Sequence, residues 1–455
     1  MKRPGSRPPG LSGPSGSTPP SAPWASRSLH FVGIGGAGMS GLALIARELG
    51  ASVTGSDRAE TSYIELLRVH GIEPSLGHRA ENVPDGAEVV FSTAVPAENP
   101  ERQAAGGREL HRSALLAQIA ALRRCLAITG THGKTTTAAM IVHVLRACGL
   151  DPAYVVGGEL RDTGANAGWG SGEWIIVEAD ESDRSLLRLD PEIAVLTNAE
   201  LDHHATYSSR LDLEDTLREF MGAALSAVVW DRPALRALCP PNTIAYDAAD
   251  AMLSTRGSRF GWRGVEVSLT VPGLHNAVNA AGALTAAALA GADPARAAVA
   301  LADFRGARRR FELLGCTEKN IPIYDDYAHH PTEVAATIAA ARTLGPARLV
   351  AVFQPHLYSR TRALARDFGR ALAGADVALV LAVYPARELA EDFPGVDGHL
   401  VAAAAADAAN GRTVAWLPSF EDARAFLSAT LREGDLCLCM GAGDVDGLAR
   451  SLVVR

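Results

Sequence analysis

Short apolar runs along this chain end in glycine-rich or acidic turns, and each turn opens a stretch with the apolar spacing of a helix. Leu29-His30-Phe31-Val32 reads as a strand, Gly33-Ile34-Gly35-Gly36-Ala37-Gly38 as the turn behind it, and residues 39–49 as a helix. Further strands are predicted at 51–54, running into Gly55-Ser56-Asp57, and at 89–92, ahead of the loop that starts at Thr93. The pattern restarts at Cys125-Leu126-Ala127-Ile128, passes through Thr129-Gly130-Thr131-His132-Gly133-Lys134-Thr135-Thr136 and continues as a helix to about Ala147. Strands at 174–177 and 193–196 then end in Glu178-Ala179-Asp180-Glu181-Ser182-Asp183 and in Thr197-Asn198. From about Phe311 a third alternation places strands at 321–324, 348–353, 377–383, 414–417 and 436–440 between alanine-rich helices. Strands alternating with helices imply parallel, doubly wound sheets, so the expected class is α/β in three units, 28–122, 123–310 and 311–455.

A chain of 455 residues is too long for one hydrophobic core, which agrees with several domains. Residues 1–27 hold seven prolines among many Ser and Gly, too little apolar surface to offset the entropy of ordering, and are expected to form a disordered tail. That tail has no apolar stretch of the kind a secretory signal needs, and no apolar run reaches the ~18 residues that span a bilayer; the expectation is a cytoplasmic protein without membrane insertion. With 43 basic against 51 acidic side chains, net charge -8, there is no electrostatic footprint for nucleic acid or anionic lipid. Six dispersed cysteines lack both disulfide density and CxxC spacing, and read as reduced thiols.

The turn Gly33-x-Gly35-x-x-Gly38, with Asp57 about 20 residues on, suits a diphosphate at a helix start. It fits a dinucleotide or a UDP-sugar alike, or simply a tight turn. Gly130-Thr131-His132-Gly133-Lys134-Thr135-Thr136 is the strongest signal. Its backbone amides and Lys134 would surround β- and γ-phosphates, and the Thr135 hydroxyl would ligate Mg²⁺. The strict spacing needs glycine where Ile128 stands, so this is a shortened phosphate loop. Glu178 and the acids behind it sit at a strand end where they either hold a metal or form a solvated loop, and His203 in Asp202-His203-His204 offers an imidazole. Asp325-Asp326-Tyr327-Ala328-His329-His330-Pro331 precedes a helix, where acids and histidines serve chemistry or capping. His356 and Arg360, in Gln354-Pro355-His356-Leu357-Tyr358-Ser359-Arg360-Thr361-Arg362, supply groups for a carboxylate or form a solvated helix face.

Taken in order, these motifs, together with HNAVNA at 275–280, RRRF at 308–311, YPARE at 384–388 and GAGD at 441–444, resemble the Mur ligase family over residues 28–446. The resemblance implies a Rossmann-like N-terminal domain, a central ATPase domain and a Rossmann-like C-terminal domain, as monomer or homodimer. It implies ATP-dependent joining of L-alanine to UDP-N-acetylmuramic acid, with ATP and Mg²⁺ bound. By the same resemblance Gly130 to Thr136, Asn276, Asn279, Arg309 and Asp326 hold ATP, and Thr135, Glu178 and His203 hold metal. Gly35, Gly36, Ala37, Gly38, Met39, Ser40, Asp57, Ser92 and Thr93 face the UDP-sugar; His356 and Arg360 face the amino acid; Lys134, His203, His329 and Arg360 take part in the chemistry. Three departures stand out. Asp202-His203-His204-Ala205 replaces the family's DHMD, Leu357 stands where the family often has Arg, and residues 205–222 contain no lysine, so no carbamylated lysine is expected. Rival readings are a ligase adding a preformed peptide, a folylpolyglutamate-type ligase, a nicotinamide oxidoreductase and a nucleotide-gated scaffold.

Overall fold

The structure, a computed structural model, describes residues 23–202 and 206–454. Among these, four sheets form. The first is parallel throughout, in the order Ser75–Leu76, Ser52–Asp57, Ser28–Val32, Glu88–Phe91, Glu109–His111. The chain reverses direction of growth at Ser28–Val32, so the glycine turn behind that strand lies at the switch point where open α/β sheets bind ligands. Under this end of the sheet Glu101 is fully buried, accepting from Ser56 Oγ (2.5 Å), Asn82 Nδ2 (2.6 Å) and Arg79 N (3.2 Å), with His78 Nδ1 3.2 Å away. One carboxylate thus ties together three loops.

The second sheet has seven strands, Ile244–Tyr246, Ser226–Trp230, Ile193–Leu196, Arg124–Thr129, Trp174–Glu178, Ala153–Leu160 and Ala165–Gly168, all parallel except the last pair. Leu126, Ala127 and Ile128 have no exposed surface because helices cover both faces, which explains why this strand reads as a continuous apolar run. One cover is the alanine-rich helix Leu274–Leu289, whose Gly282 lies against the Tyr246 ring; a Cβ there would come within 2.7 Å of it. An antiparallel sheet of Met252–Ser254, Gly257–Trp262 and Val265–Leu269, not expected from sequence, closes the far side. The third unit's sheet runs Glu312–Cys316, Pro322–Asp326, Asp435–Met440, Arg348–Phe353, Val377–Val380, Thr413–Trp416, with only the first pair antiparallel. Its strand at 377 stops at Val380, three residues short of expectation.

Two corrections concern the ends and junctions. The expected tail 1–27 is too long: 1–22 lie outside the described residues, but Trp24 is 7% exposed, donates its N–H to Leu49 O and carries Arg27 over its ring. A single large aromatic finds a place in the core that the surrounding Pro/Ser/Gly composition concealed. The first two units also share one apolar core, running from Leu29 through Leu238. Asn166 fastens them, donating from Nδ2 to Ala37 O at 2.5 Å and to Ser40 Oγ at 3.1 Å. The link into the third unit is bent by left-handed backbone at Gly306, Arg309 (φ 57°) and Phe311 (φ 49°). Non-glycine residues hold such angles only where packing over-determines them; here Arg309 donates to Gly441 O (2.7 Å) and Gly443 O (2.9 Å), and Phe311 N to Asp326 Oδ2 (2.7 Å).

Candidate active site

The phosphate loop is shaped by glycine at two points. Gly130 (φ 123°) passes so close to Thr197 that a Cβ would lie 2.3 Å from its Oγ1, and Gly133 (φ 79°) would meet Asn279 Oδ1 at 2.7 Å. Asn198 fixes His132 from both sides, accepting from its N and donating to its O, both at 2.8 Å. The helix Lys134–Ala147 then starts with Lys134 Nζ donating to Gly130 O (2.6 Å) and facing Glu181 at 2.9–3.0 Å. Burial opposes the lysine's charge, and the carboxylates of Glu181, Glu178 and Asp180 more than compensate, raising its pKa. Thr135 donates from Oγ1 to Glu178 at 2.9–3.0 Å, and Gly157 N donates to the same carboxylate at 2.7 Å. Arg112, from the first unit, reaches across to Asp180 (2.8 Å) and Asp183 (3.2 Å). Asp180 is held well below the usual carboxylate range: burial alone would raise it, and Arg112 and Lys134 overcome that.

A second group comes from the third unit. Arg360 (6% exposed) sends Nη2 to Asp202 Oδ1 (3.0 Å) and Oδ2 (2.9 Å) across the boundary with the second unit. Its Nη1 lies 3.3 Å from His356 Nδ1, and the His356 ring stacks on Tyr384 and faces His329. Burial keeps His329 at a pKa of about 4 and His356 at about 3, so both are neutral imidazoles at physiological pH. Beside them Glu333 caps the helix Pro331–Thr343, accepting from His329 N (3.0 Å) and His330 N (3.2 Å). Its other oxygen lies 3.1 Å from His132 Nδ1 of the phosphate loop.

Two cavities meet here. One of about 570 Å³ is walled by Trp230, Phe304, Asn276, Asn279, Thr136 and Asp326, apolar enough for a planar base. The other, about 300 Å³, is lined by Gly38, Arg112, Lys134, Thr135, Glu178 and His329. His132, Gly133, Arg310 and Glu333 border both, so a nucleotide with its base in the first would extend its phosphates into the second.

Residues 28–124 match the Mur ligase family catalytic domain, 128–287 the Mur ligase middle domain, and 309–443 the Mur ligase glutamate ligase domain. The chain belongs to the Mur ligase family. It is 42% identical over 484 residues to a UDP-N-acetylmuramate--L-alanine ligase of Mycobacterium sp. (strain JLS), covering 96% of each chain. The same enzyme of Rubrobacter xylanophilus is 41% identical over 94% of this chain and 99% of its own. The crystal structure of UDP-N-acetylmuramate-alanine ligase MurC from Thermotoga maritima superposes with a TM-score of 0.81 at 28% identity, over 93% of this chain and 98% of that one. A murein peptide ligase from Psychrobacter arcticus shares the fold, with a TM-score of 0.69 at 23% identity and 94% of this chain covered, 100% of that one.

In this Mur ligase the expected site residues fall into three placements. Thr131, His132, Gly133, Lys134, Thr135 and Thr136 line the joined cavities with Asn276, Asn279 and Asp326, while Gly130 lies behind them with its carbonyl accepting from Lys134 Nζ, and Thr131 donates its hydroxyl to Glu200 O. Gly38 faces the phosphate cavity, and Thr93 a further hollow with His111 and Arg188; Ser92 is half-buried beside it. Others turn inward. Asp57 accepts from Gly35 N (2.9 Å) and Arg58 N (2.7 Å), so it holds the glycine turn. Gly36 N closes that turn on Gly33 O, while Met39 and Ser40 are buried, with Ser40 bonded to Ala37 and Asn166. Arg309 grips the Gly441–Gly443 carbonyls, whereas its neighbour Arg310 borders both cavities and reaches Thr135 Oγ1 at 3.3 Å. His203 lies outside the described residues. Leu357 is buried with φ 69° and donates N–H to Tyr384 O. Sequence reasoning passed over Arg112, Arg310 and Glu333. The run Arg308-Arg309-Arg310 signalled a cation without saying which one turns in, and Glu333 carried a capping-box spacing that hid its second partner.

Proposed function

We propose that this chain is a UDP-N-acetylmuramate--L-alanine ligase, acting in three domains over 28–122, 123–310 and 311–455. The observation that carries the reading is the meeting, around one cleft, of a phosphate loop with Lys134, a hydroxyl–carboxylate pair, and His329 and Asp202, the latter held by a buried Arg360 behind it. The Mycobacterium and Rubrobacter relatives supply the substrates that suit such a cleft.

A carboxylate is a poor acylating agent. ATP converts the lactyl carboxylate of the UDP-sugar to an acyl phosphate, the alanine amine attacks the activated carbonyl, and the tetrahedral intermediate collapses to amide and inorganic phosphate. Lys134 stabilises charge on the transferring phosphoryl group from a water-poor pocket, where such stabilisation is strongest. Arg310 adds a second cation from the link between units. Arg360 orients the carboxylate of alanine, and His329 and His356, held neutral by burial, stand beside it as uncharged hydrogen-bonding groups that add no competing positive charge next to the ammonium. Arg112, bound to Asp180 and Asp183 beside Gly38, bridges the sugar-binding unit to the phosphate cavity.

The donor set fits Mg²⁺. The Thr135 hydroxyl and Glu178 carboxylate, 2.9 Å apart at a strand end, are the hard oxygen ligands it prefers, with His203 placed after them in sequence. Bound there, the ion neutralises phosphate charge. No helix among the described residues is long and apolar enough to cross a membrane; our reading is a cytoplasmic reaction, since it draws on ATP and a UDP-sugar together. The direct test is mass spectrometry of the UDP-sugar after incubation with MgATP and L-alanine. A product heavier by one alanine residue supports the reading; unchanged UDP-sugar overturns it.

A further inference from the structure

His132, Glu200 and His330 come from three separate segments: the phosphate loop, the loop after strand Ile193–Leu196, and the start of helix Pro331–Thr343. One donor atom from each lies within 4.8 Å of the others. His132 Nε2 is 3.3 Å and His330 Nδ1 is 3.7 Å from the same Glu200 oxygen. Two ligands on one tetrahedral zinc, each about 2.0–2.1 Å from the metal, stand about 3.3 Å apart, so two edges of the tetrahedron are nearly in place. The third edge, between the two histidines, is within 4.8 Å.

The surroundings are those of a ligand set. Histidines that bind metal almost always donate their other ring nitrogen to a carboxylate, and His132 Nδ1 faces Glu333 Oε1 at 3.1 Å. Thr332 donates its hydroxyl to Glu200 Oε2 at 2.6 Å. The Thr332 backbone amide points at His330 Nδ1 at a long 3.4 Å; an amide only donates, so that nitrogen carries a lone pair, which a cation would take over from this helix-cap contact. Two imidazoles and one carboxylate suit Zn²⁺ or Co²⁺, whereas Mg²⁺ prefers all-oxygen sites.

We infer that His132, Glu200 and His330 bind a transition-metal cation of the Zn²⁺ class, which staples the third unit to the phosphate loop and holds back turnover. His132 and Glu200 belong to the second unit and His330 to the third, so the site is complete only when the cleft is closed. Because His132 borders both cavities, a cation there opposes nucleotide exchange. The inhibition rests on the ligase reading above; the binding does not.

The test uses the full chain stripped of metal, with Co²⁺ as the spectroscopic probe. The expected result is a visible tetrahedral Co²⁺ spectrum without the thiolate charge-transfer band, displaced by Zn²⁺ and not by excess Mg²⁺. His330→Asn keeps a good helix cap but removes a ligand. It should weaken Co²⁺ by more than the roughly ten- to hundredfold that an outer-shell partner is worth, and so should Glu200→Gln. With Mg²⁺ alone His330→Asn turns over as the unaltered enzyme does, and Zn²⁺ no longer inhibits it. The inference is overturned if both variants bind Co²⁺ as tightly as the parent, or if a thiolate band assigns the cation to a cysteine. Should the chain ligate nothing at all, the spectra still decide the site while the ligase reading fails.

Discussion

Arg360 offers the sharpest test of how the cleft handles an amino acid. Its guanidinium is buried and doubly bonded to Asp202 at 2.9–3.0 Å, so it is oriented before any substrate arrives. Replacing it with methionine removes the charge and both donors at similar length. Truncating one partner of a buried, hydrogen-bonded charge pair costs about 2–5 kcal/mol, which at ~1.4 kcal/mol per decade is a loss of about 30- to 4,000-fold. Steady-state kinetics should show that loss in kcat/KM for alanine, while KM for ATP moves by less than about threefold, within ~0.7 kcal/mol. Arg360→Lys keeps the charge without the planar fork and should fall in between. In a cycle with Asp202→Asn the two losses should be less than additive by about 1–3 kcal/mol, since both act on one contact. An Arg360→Met enzyme whose alanine kcat/KM stays within about threefold of the parent, or whose ATP KM rises as much as its alanine KM, refutes the assignment.

Other expectations follow from the same geometry. Gly133→Ala puts a Cβ at φ 79° and 2.7 Å from Asn279, so KM for ATP should rise at least about fivefold, from the ~1–2 kcal/mol that left-handed strain alone costs. Burial pushes the Glu101 carboxyl up, yet the His30 ring 3.6 Å away and hydrogen bonds from Ser56, Asn82 and the Arg79 amide bring it down from 4.5 to about 2. A depressed carboxyl stabilises the fold above its unfolded pKa and stops doing so as pH falls through its folded value. Glu101→Gln should therefore cost up to about 3 kcal/mol at pH 7, and that gap should close between about pH 4.5 and 2 in parallel denaturation curves. Trp24→Ala should destabilise the first unit by about 3 kcal/mol, visible as faster hydrogen exchange in strand Ser28–Val32.

The fold could be read from sequence wherever a local pattern decides it. Leu126 to Ile128 is apolar on both faces, the next residues are glycine-rich, and a buried parallel strand feeding a phosphate loop is the one arrangement that satisfies both. Contacts that join distant segments left little trace. Asn166 binding Ala37, or Arg112 crossing to Asp180, depends on how two units dock, and neither residue stands out in its own neighbourhood. The choice between Arg309 and Arg310 is set by a left-handed φ at 309 that turns one side chain toward Gly441 and leaves the next for the cleft. Trp24 was hidden by composition and strand Met252–Ser254 by its shortness and exposure, whereas the alternation that buries Phe260 and Trp262 in strand Gly257–Trp262 was legible and was passed over.

The central claim, that this cleft activates a carboxylate and gives it to alanine, is tested most directly by phosphate release. The assay contains MgATP and UDP-N-acetylmuramic acid with L-alanine, with the L-Ala-γ-D-Glu-meso-diaminopimelate tripeptide, or with no acceptor. The account predicts sustained release with alanine alone among the three; release driven by the tripeptide and not by alanine would contradict it.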